Sequence, residues 1–388
     1  MADRRVFLHI GAPKTGTTYL QRLLDANRDR LAGLGVLYPD LGNDAHHTAA
    51  WGLRPKRPGK PSSERCGDQW DKLVEQVRSW SGPSVVVSTE MFVFFDDDLA
   101  AKVLGAFGDA EVHVIYTARD LVRQVPAVWQ EQVKNQRTDG YRAFVSDLLG
   151  RRSESLSRHF WRSQDAPRAL ARWSHGIGPE RVHVVTAPPP GARPELLWER
   201  FAEVIGVDPA VAVADSPAAN TSLGIAAAEV LRRFNERYGA AMPLQRYRRD
   251  VLRPLMPALA SGVIDDRRLP LSEEQQRRIS QHSEEIVAGI RAAGYDVVGT
   301  LDDLVPEQYR PTRGRPAPGP DDLSDAEVVD ALLDVLHHLT ESGQITAELD
   351  TDRRGRGKKS ADGMKRPAGK KRPAGKKRGR TGLPEAPT

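Results

Sequence analysis

Among its 388 residues the chain has a single cysteine, Cys66. That excludes an internal disulfide and any cluster of thiolate metal ligands, so a reducing compartment is the expectation. Long apolar runs are missing as well. No stretch approaches the ~18 residues that a membrane-spanning helix needs. The opening "MADRR" passes straight into the five-residue run "VFLHI", too short for the apolar core of a secretory signal. A cytoplasmic protein without a transmembrane segment is expected. Aromatics are only 6% of the residues, and none falls within 351–388, so that segment offers no platform for stacking bases.

Charge is present in quantity but unevenly placed. The net value is +5, yet residues 353–380 hold fourteen Lys or Arg against one acid, Asp362. With Glu385 counted in the last eight residues, residues 1–352 carry −7. The basic character therefore belongs to the tail. There "KRPAGK" occurs twice in tandem, at 365–370 and 371–376, with almost no apolar residues to offset ordering entropy. A disordered tail over 351–388 is expected, able to contact polyanions non-specifically through counterion release.

Four short runs have strand character: "VFLHI" (6–10), "SVVVS" (84–88), "EVHVIYTA" (111–118) and "RVHVVT" (181–186). They are β-branched, nearly continuous in apolar residues and separated by long segments of helical periodicity. That pattern predicts an α/β fold with a buried parallel sheet and crossover helices. Helices are predicted after the first run and at 120–136, 194–205, 223–238 and 273–293. A single main domain is expected over 1–309, followed by the Pro/Gly-rich linker "RPTRGRPAPGP" at 310–320. Ser324 and Glu327 then form a capping-box pair opening an amphipathic helix within 321–350. Its apolar face must dock on the main domain or on a second copy of the chain, as a homodimer through the 324–340 helix.

The chemistry is concentrated in "VFLHIGAPKTGTTYLQRLL". Gly11 and Gly16 have the spacing of a phosphate-binding loop, and Thr18 stands where such loops keep a hydroxyl. Thr17, however, occupies the place of the usual lysine, and the cation is Lys14 instead. A strand running into Gly11 and out into a helix surrounds an anion with backbone N–H groups and a positive helix end. Thr15, Thr17 and Thr18 add hydroxyl donors. The displaced cation suits a ligand with one 5′-phosphate and one transferring group beyond it, over whose bridging oxygen Lys14 would sit.

"GAPKTGTTYLQ" resembles the 5′-phosphosulfate loop of the sulfotransferases that use 3′-phosphoadenosine 5′-phosphosulfate (PAPS), in its bacterial branch. Pro13, Lys14, Thr15, Gly16, Thr17, Thr18 and Leu20 match that pattern. The resemblance implies a P-loop-type parallel sheet, PAPS as co-substrate and PAP (3′-phosphoadenosine 5′-phosphate) as product, with no metal. It also implies transfer of a sulfuryl group to a hydroxyl or amine of a small-molecule, carbohydrate or lipid acceptor. In "VIYTARDLVRQVPAVWQ", Arg119 stands where the family keeps its 3′-phosphate arginine. The serine expected eight positions later is Ala127, a lost hydrogen bond to a charged oxygen worth ~1.5–3 kcal/mol. Arg123, one helical turn from Arg119, or Gln130 is the candidate to replace it, and Pro126 is expected to bend or break that helix. Ser222 in "AANTSLG" resembles a contact at the far end of the nucleotide, the alternative being plain helix capping by Thr221 or Ser222.

For the proton acceptor there are two candidates. Glu90 follows the strand "SVVVS", with Met91, Phe92 and Phe94 beside it to desolvate its carboxyl. His46 and His47 in "NDAHH" are the other. The basic cluster "RYRRDVLR" (246–253) is either a solvated helix face or a contact for an anionic acceptor. Two other functions remain open. One is a PAPS- or PAP-binding protein without catalysis, to which Ala127 points. The other is a P-loop kinase, for which Asp120 is the one tempting magnesium-binding aspartate.

Overall fold

A computed structural model of the chain describes residues 4–42, 45–54, 64–150, 155–212, 222–260, 267–305 and 318–342. The predicted linker lies largely outside the described residues, as does the whole basic tail. The chain divides into a compact unit of residues 1–338 and a second of 339–388, of which only 339–342 are described.

In chain order the elements begin with β1 (Arg5–His9), α1 (Thr17–Ala26), α2 (Arg28–Gly33), β2 (Val36–Leu37), α3 (Ala45–Gly52), α4 (Glu64–Ser79) and β3 (Ser84–Ser88). They continue with α5 (Asp97–Gly105), β4 (Glu111–Ala118), α6 (Leu121–Lys134), α7 (Tyr141–Leu149), α8 (Ser155–Gln164), α9 (Ala166–Trp173) and β5 (Val182–Thr186). The last are α10 (Leu196–Ile205), α11 (Ile225–Tyr238), α12 (Leu244–Tyr247), α13 (Arg253–Leu259), α14 (Glu273–Ala293), β6 (Asp296–Val298) and α15 (Asp325–Glu341).

The strands form one six-stranded sheet in the order β2-β3-β1-β4-β5-β6, with every pairing parallel. This is the α/β sheet that the apolar runs predicted. Two strands escaped the sequence reading: β2 and β6, of two and three residues, lie at the sheet edges and are too short to carry a pattern. In the centre, Phe7 pairs with Val86, and both share one face with Ile115, Val185 and Val298. Leu20, Leu23 and Leu24 of α1 and Leu197, Phe201 and Ile205 of α10 cover that face. The opposite face, including Val6, Leu8, Val114 and Val184, is equally buried. A sheet covered on both sides requires continuous apolar strands, which is why these four runs do not alternate.

Chain order and spatial order diverge at β1, whose neighbours are β3 on one side and β4 on the other. In open parallel sheets the ligand crevice lies outside the carboxyl ends of the strands at such a point. The segments leaving β1, β3 and β4 there contain Gly11–Gly16, Glu90 and Arg119. Among the described residues no helix is long and apolar enough to cross a membrane.

Ser324 and Glu327 make the reciprocal bonds of a capping box at the start of α15. Val328 and Ala331 of that helix pack with Ile225 and Ala226 of α11, whereas Val329, Leu332 and Leu333 stay exposed.

Candidate functional site

The loop from Ile10 to Gly16 is pinned to the neighbouring strand before it turns into α1. Ile10 N–H donates to the Ile115 carbonyl at 2.9 Å and Ala12 N–H to that of Thr117 at 2.9 Å. Gln124 and Gln164 both donate to the Pro13 carbonyl, at 2.7 and 3.2 Å. At Gly16 the backbone has φ +101°, and a Cβ there would lie 2.3 Å from a methyl of Leu197. Only glycine fits, by conformation and by space. No side chain caps α1 at Gly16. Its first-turn N–H groups have no acceptor within the helix, so this end of α1 is suited to an anion.

The threonines divide between two tasks. Thr18 is exposed at the helix start, while Thr17 is buried. Thr15 turns inward, its hydroxyl donating to the Ala12 carbonyl at 2.6 Å and meeting the Thr117 hydroxyl at 2.5 Å. Thr117 continues to His9 Nε2 at 3.3 Å, and His9 Nδ1 to the Ser88 hydroxyl at 2.8 Å. This buried polar chain joins β1, β3 and β4 beneath the loop. Burial lowers His9 to about 3, so the imidazole is neutral at ordinary pH. Thr15 thus supports the loop through its side chain and leaves only its backbone for a ligand.

Lys14 adopts φ +68° and sends its ammonium to Glu131 of α6, 2.5 Å away. Both side chains are partly exposed and line a cleft of about 790 Å³. Burial by itself would raise the Glu131 carboxyl. The Lys14 charge and hydrogen bond, with Lys134 and Asn135, instead hold it below the usual range. Lys134 is lowered by burial and by Lys14. Neither Glu131 nor Lys134 was singled out from the sequence. Their helical spacing from Arg123 and Ala127 was legible, but only the fold shows Lys14 reaching that face.

Arg119 lies between the end of β4 and Asp120, the cap residue of α6, and donates to the Lys14 carbonyl at 3.2 Å. Burial, Arg123 and Arg268 bring its pKa down to about 10, which still leaves it charged at neutral pH. Arg268, from a loop before α14, is a third cation that sequence reasoning missed. Asp120 caps α6 by accepting from Arg123 N–H at 2.9 Å, and its other oxygen pairs with Arg123 Nε. The kinase reading thereby loses its aspartate to a structural role. Arg123 also donates to the Pro188 carbonyl at 3.0 Å, so it is held in place beside Arg119.

Gln130 is not available to replace the missing serine. Its amide donates to the Leu223 carbonyl at 2.7 Å and accepts from the Ser222 hydroxyl at 3.0 Å and Leu223 N–H at 3.2 Å. Ser222 is exposed and fastened to α6 in this way, while α11 is capped at Gly224 without a side chain. The capping alternative for Ser222 is therefore corrected. Pro126 neither ends α6 nor prevents it from running from Leu121 to Lys134.

Glu90 follows β3 and lies against the loop, its Cβ 3.3 Å from where a Cβ on Gly11 would stand. Its carboxylate accepts from Gln21 of α1 at 3.2 Å. Of its apolar neighbours, Met91 and Phe92 enter the core, and Phe94 stacks on His159 at 4.3 Å. His46 has a different role. Its Nδ1 accepts from Ser88 N–H at 3.1 Å and its Nε2 donates to the Pro39 carbonyl at 3.0 Å. Burial brings it down to about 4, and with both nitrogens committed it has no lone pair for a substrate proton. His47 is exposed on the outer side of α3, stacked on Trp51. In the basic cluster Arg246 and Arg249 pair with Asp250, and Arg248 reaches Asn135 on the cleft wall at 2.5 Å.

No protein-family model matches the chain, and no curated protein matches it. Among solved structures the chain is similar to the crystal structure of a sulfotransferase from Alicyclobacillus acidocaldarius. The identity is 16%, over 76% of this chain and 96% of that one, with a TM-score of 0.44.

Proposed function

We propose that the protein transfers a sulfuryl group from PAPS to a hydroxyl or amine of an acceptor. The observation that carries this reading is the assembly at the β1–α1 loop. Lys14 projects from a threonine-rich loop whose helix end is uncapped, and the half-buried Arg119 grips the carbonyl of that same lysine. The first-turn N–H groups and Thr18 are suited to a 5′-phosphate. Arg119 and Arg268 supply the positive charge that a 3′-phosphate requires, and Arg123, its charge paired with Asp120, offers an N–H in place of the hydroxyl absent at Ala127.

In the reaction the acceptor oxygen or nitrogen bonds to sulfur on the side opposite the bridging oxygen, and the sulfur–oxygen bond to the 5′-phosphate breaks. Lys14 leaves Glu131 to hold the negative charge that gathers on that bridging oxygen. Glu90, oriented by Gln21, takes the acceptor proton. His46 is not used, because its ring nitrogens serve the backbone.

Lys14→Ala tests the reading. Transfer of labelled sulfate from PAPS to acceptors in a cell extract is expected to fall by about 10²-fold or more. The melting temperature stays nearly unchanged, because a half-exposed ion pair contributes roughly 0–1 kcal/mol. Undiminished transfer in that variant removes Lys14 from the chemistry, and failure of the unaltered protein to bind PAP removes the nucleotide assignment.

A further inference from the structure

The cleft entered by Lys14 is walled by the C-terminal half of α6, by Phe94 and by α8 and α9. At about 790 Å³ it falls within the size range of small-molecule sites. Its charge is one-sided. Lys14, Arg137, Arg158, Arg162, Arg168 and Arg172 line it against a single carboxylate, Glu131, which is already paired with Lys14. Arg137 and Arg168 have ion-pair partners in Asp139 and Asp165.

Arg162 and Arg172 are held differently. Among the described residues neither forms an ion pair with a carboxylate. Arg162 Nε donates to the Phe94 carbonyl at 3.1 Å. Arg172 donates to the carbonyls of Val93 at 2.9 Å and of Arg162 and Arg168 at 3.0 Å each. Neutral carbonyls fix the orientation of a guanidinium without cancelling its charge. Burial first, and then the neighbouring Arg162, pull Arg172 below its ordinary value, with Asp97 and Asp165 opposing from a distance. A cleft lined by one sign of charge also concentrates ions of the other. Beside these arginines the stacked rings of Phe94 and His159, inclined by 10°, give the wall a flat face.

Resting on the sulfuryl-transfer reading above, we propose that this cleft is the acceptor site. It selects an acceptor carrying an oxyanion, which Arg162 and Arg172 hold while the acceptor hydroxyl or amine faces Lys14. The oxyanion is a carboxylate, phosphate ester or sulfate ester, the shared chemistry that a planar guanidinium recognises. A neutral acceptor leaves both guanidinium groups without a carboxylate or other anion in contact and is disfavoured.

The full-length protein, saturated with PAP, is titrated with inorganic pyrophosphate as a compact oxyanion probe. Binding is expected, weakened about tenfold in Arg162→Gln and only partly recovered in Arg162→Lys, which keeps the charge but not the planar fork, with PAP affinity the same in all three. Pyrophosphate binding that is absent, or unaffected by Arg162→Gln, overturns the proposal. So does a tenfold loss of PAP affinity in that variant, which assigns the cleft to the nucleotide and leaves the transfer reading standing. If PAP itself does not bind, the transfer reading fails, and the acceptor assignment fails with it. In a second arm a cell extract is separated on an anion exchanger before labelled transfer. Acceptor activity is expected in the retained fraction, and activity confined to the flow-through overturns the proposal. Loss of that activity after phosphatase, sulfatase or carbodiimide amidation distinguishes the three oxyanions, and survival through all three overturns it.

Discussion

Lys14 and Glu131 set the resting state of the site. The ammonium that the proposed reaction needs is held by a carboxylate eight residues beyond Arg123, so the proposed nucleotide would have to displace it from that pair. Glu131→Gln is expected to tighten PAP binding by up to about fivefold, the equivalent of a partly exposed ion pair of ~0.2–1 kcal/mol. Calorimetry checks this, and weaker binding in the variant means that Glu131 assists the nucleotide rather than competing with it. Lys14 and Arg119 were legible because each stands in a dense local pattern, a glycine loop or a strand-to-helix junction. Glu131 was not, because its meaning comes from a lysine more than a hundred residues away. His46 shows the converse: a histidine conspicuous in sequence is committed to two backbone groups in the fold.

At the scale of elements, α14 is the clearest case of a helix defined by its own ends. Ser272 accepts from Gln275 N–H, Gln275 returns a bond to Ser272 N–H, and Gly294 closes the helix with φ +68°. Ser272→Ala is expected to destabilise the protein by about 0.5–2 kcal/mol. Denaturant unfolding measures it; an unchanged midpoint shows that packing against the rest of the fold holds the helix without its cap. The predicted range 273–293 agrees with the helix because helical periodicity is legible along a single segment. The edge strands β2 and β6 were missed for the opposite reason, since they exist only as partners of β3 and β5. Similarly, α8 and α9 carry four of the cleft arginines, Arg158, Arg162, Arg168 and Arg172, none of which the sequence reading singled out.

Across the whole molecule, two of the buried histidines, His9 and His46, couple the site's framework to pH. His9 and His46 titrate in the folded state at about 3 and about 4, below the ordinary 6.5. For His46 burial dominates, with Arg28 lowering it further and Asp40 opposing. Both are neutral when folded, whereas the unfolded chain takes up their protons below 6.5, so stability falls as pH falls from 6.5 toward 4. The limiting slope is ~1.4 kcal/mol per pH unit for each histidine. The melting temperature is expected to drop over this range and to drop less steeply in His46→Gln; equal slopes would remove His46 from the account. By itself the sequence determined the parallel α/β fold, the glycine-bounded loop between β1 and α1 with Lys14 in it, and the arginine at the junction of β4 and α6. Those features depend on residues near one another in the chain, through period, spacing and turn chemistry. Only the tertiary structure decided that Lys14 rests on Glu131, that Gln130 and His46 are structural, and that the arginines of α8 and α9 meet in one cleft. Such contacts arise when helices pack across a sheet, and the register of that packing is set by the whole core rather than by any short segment.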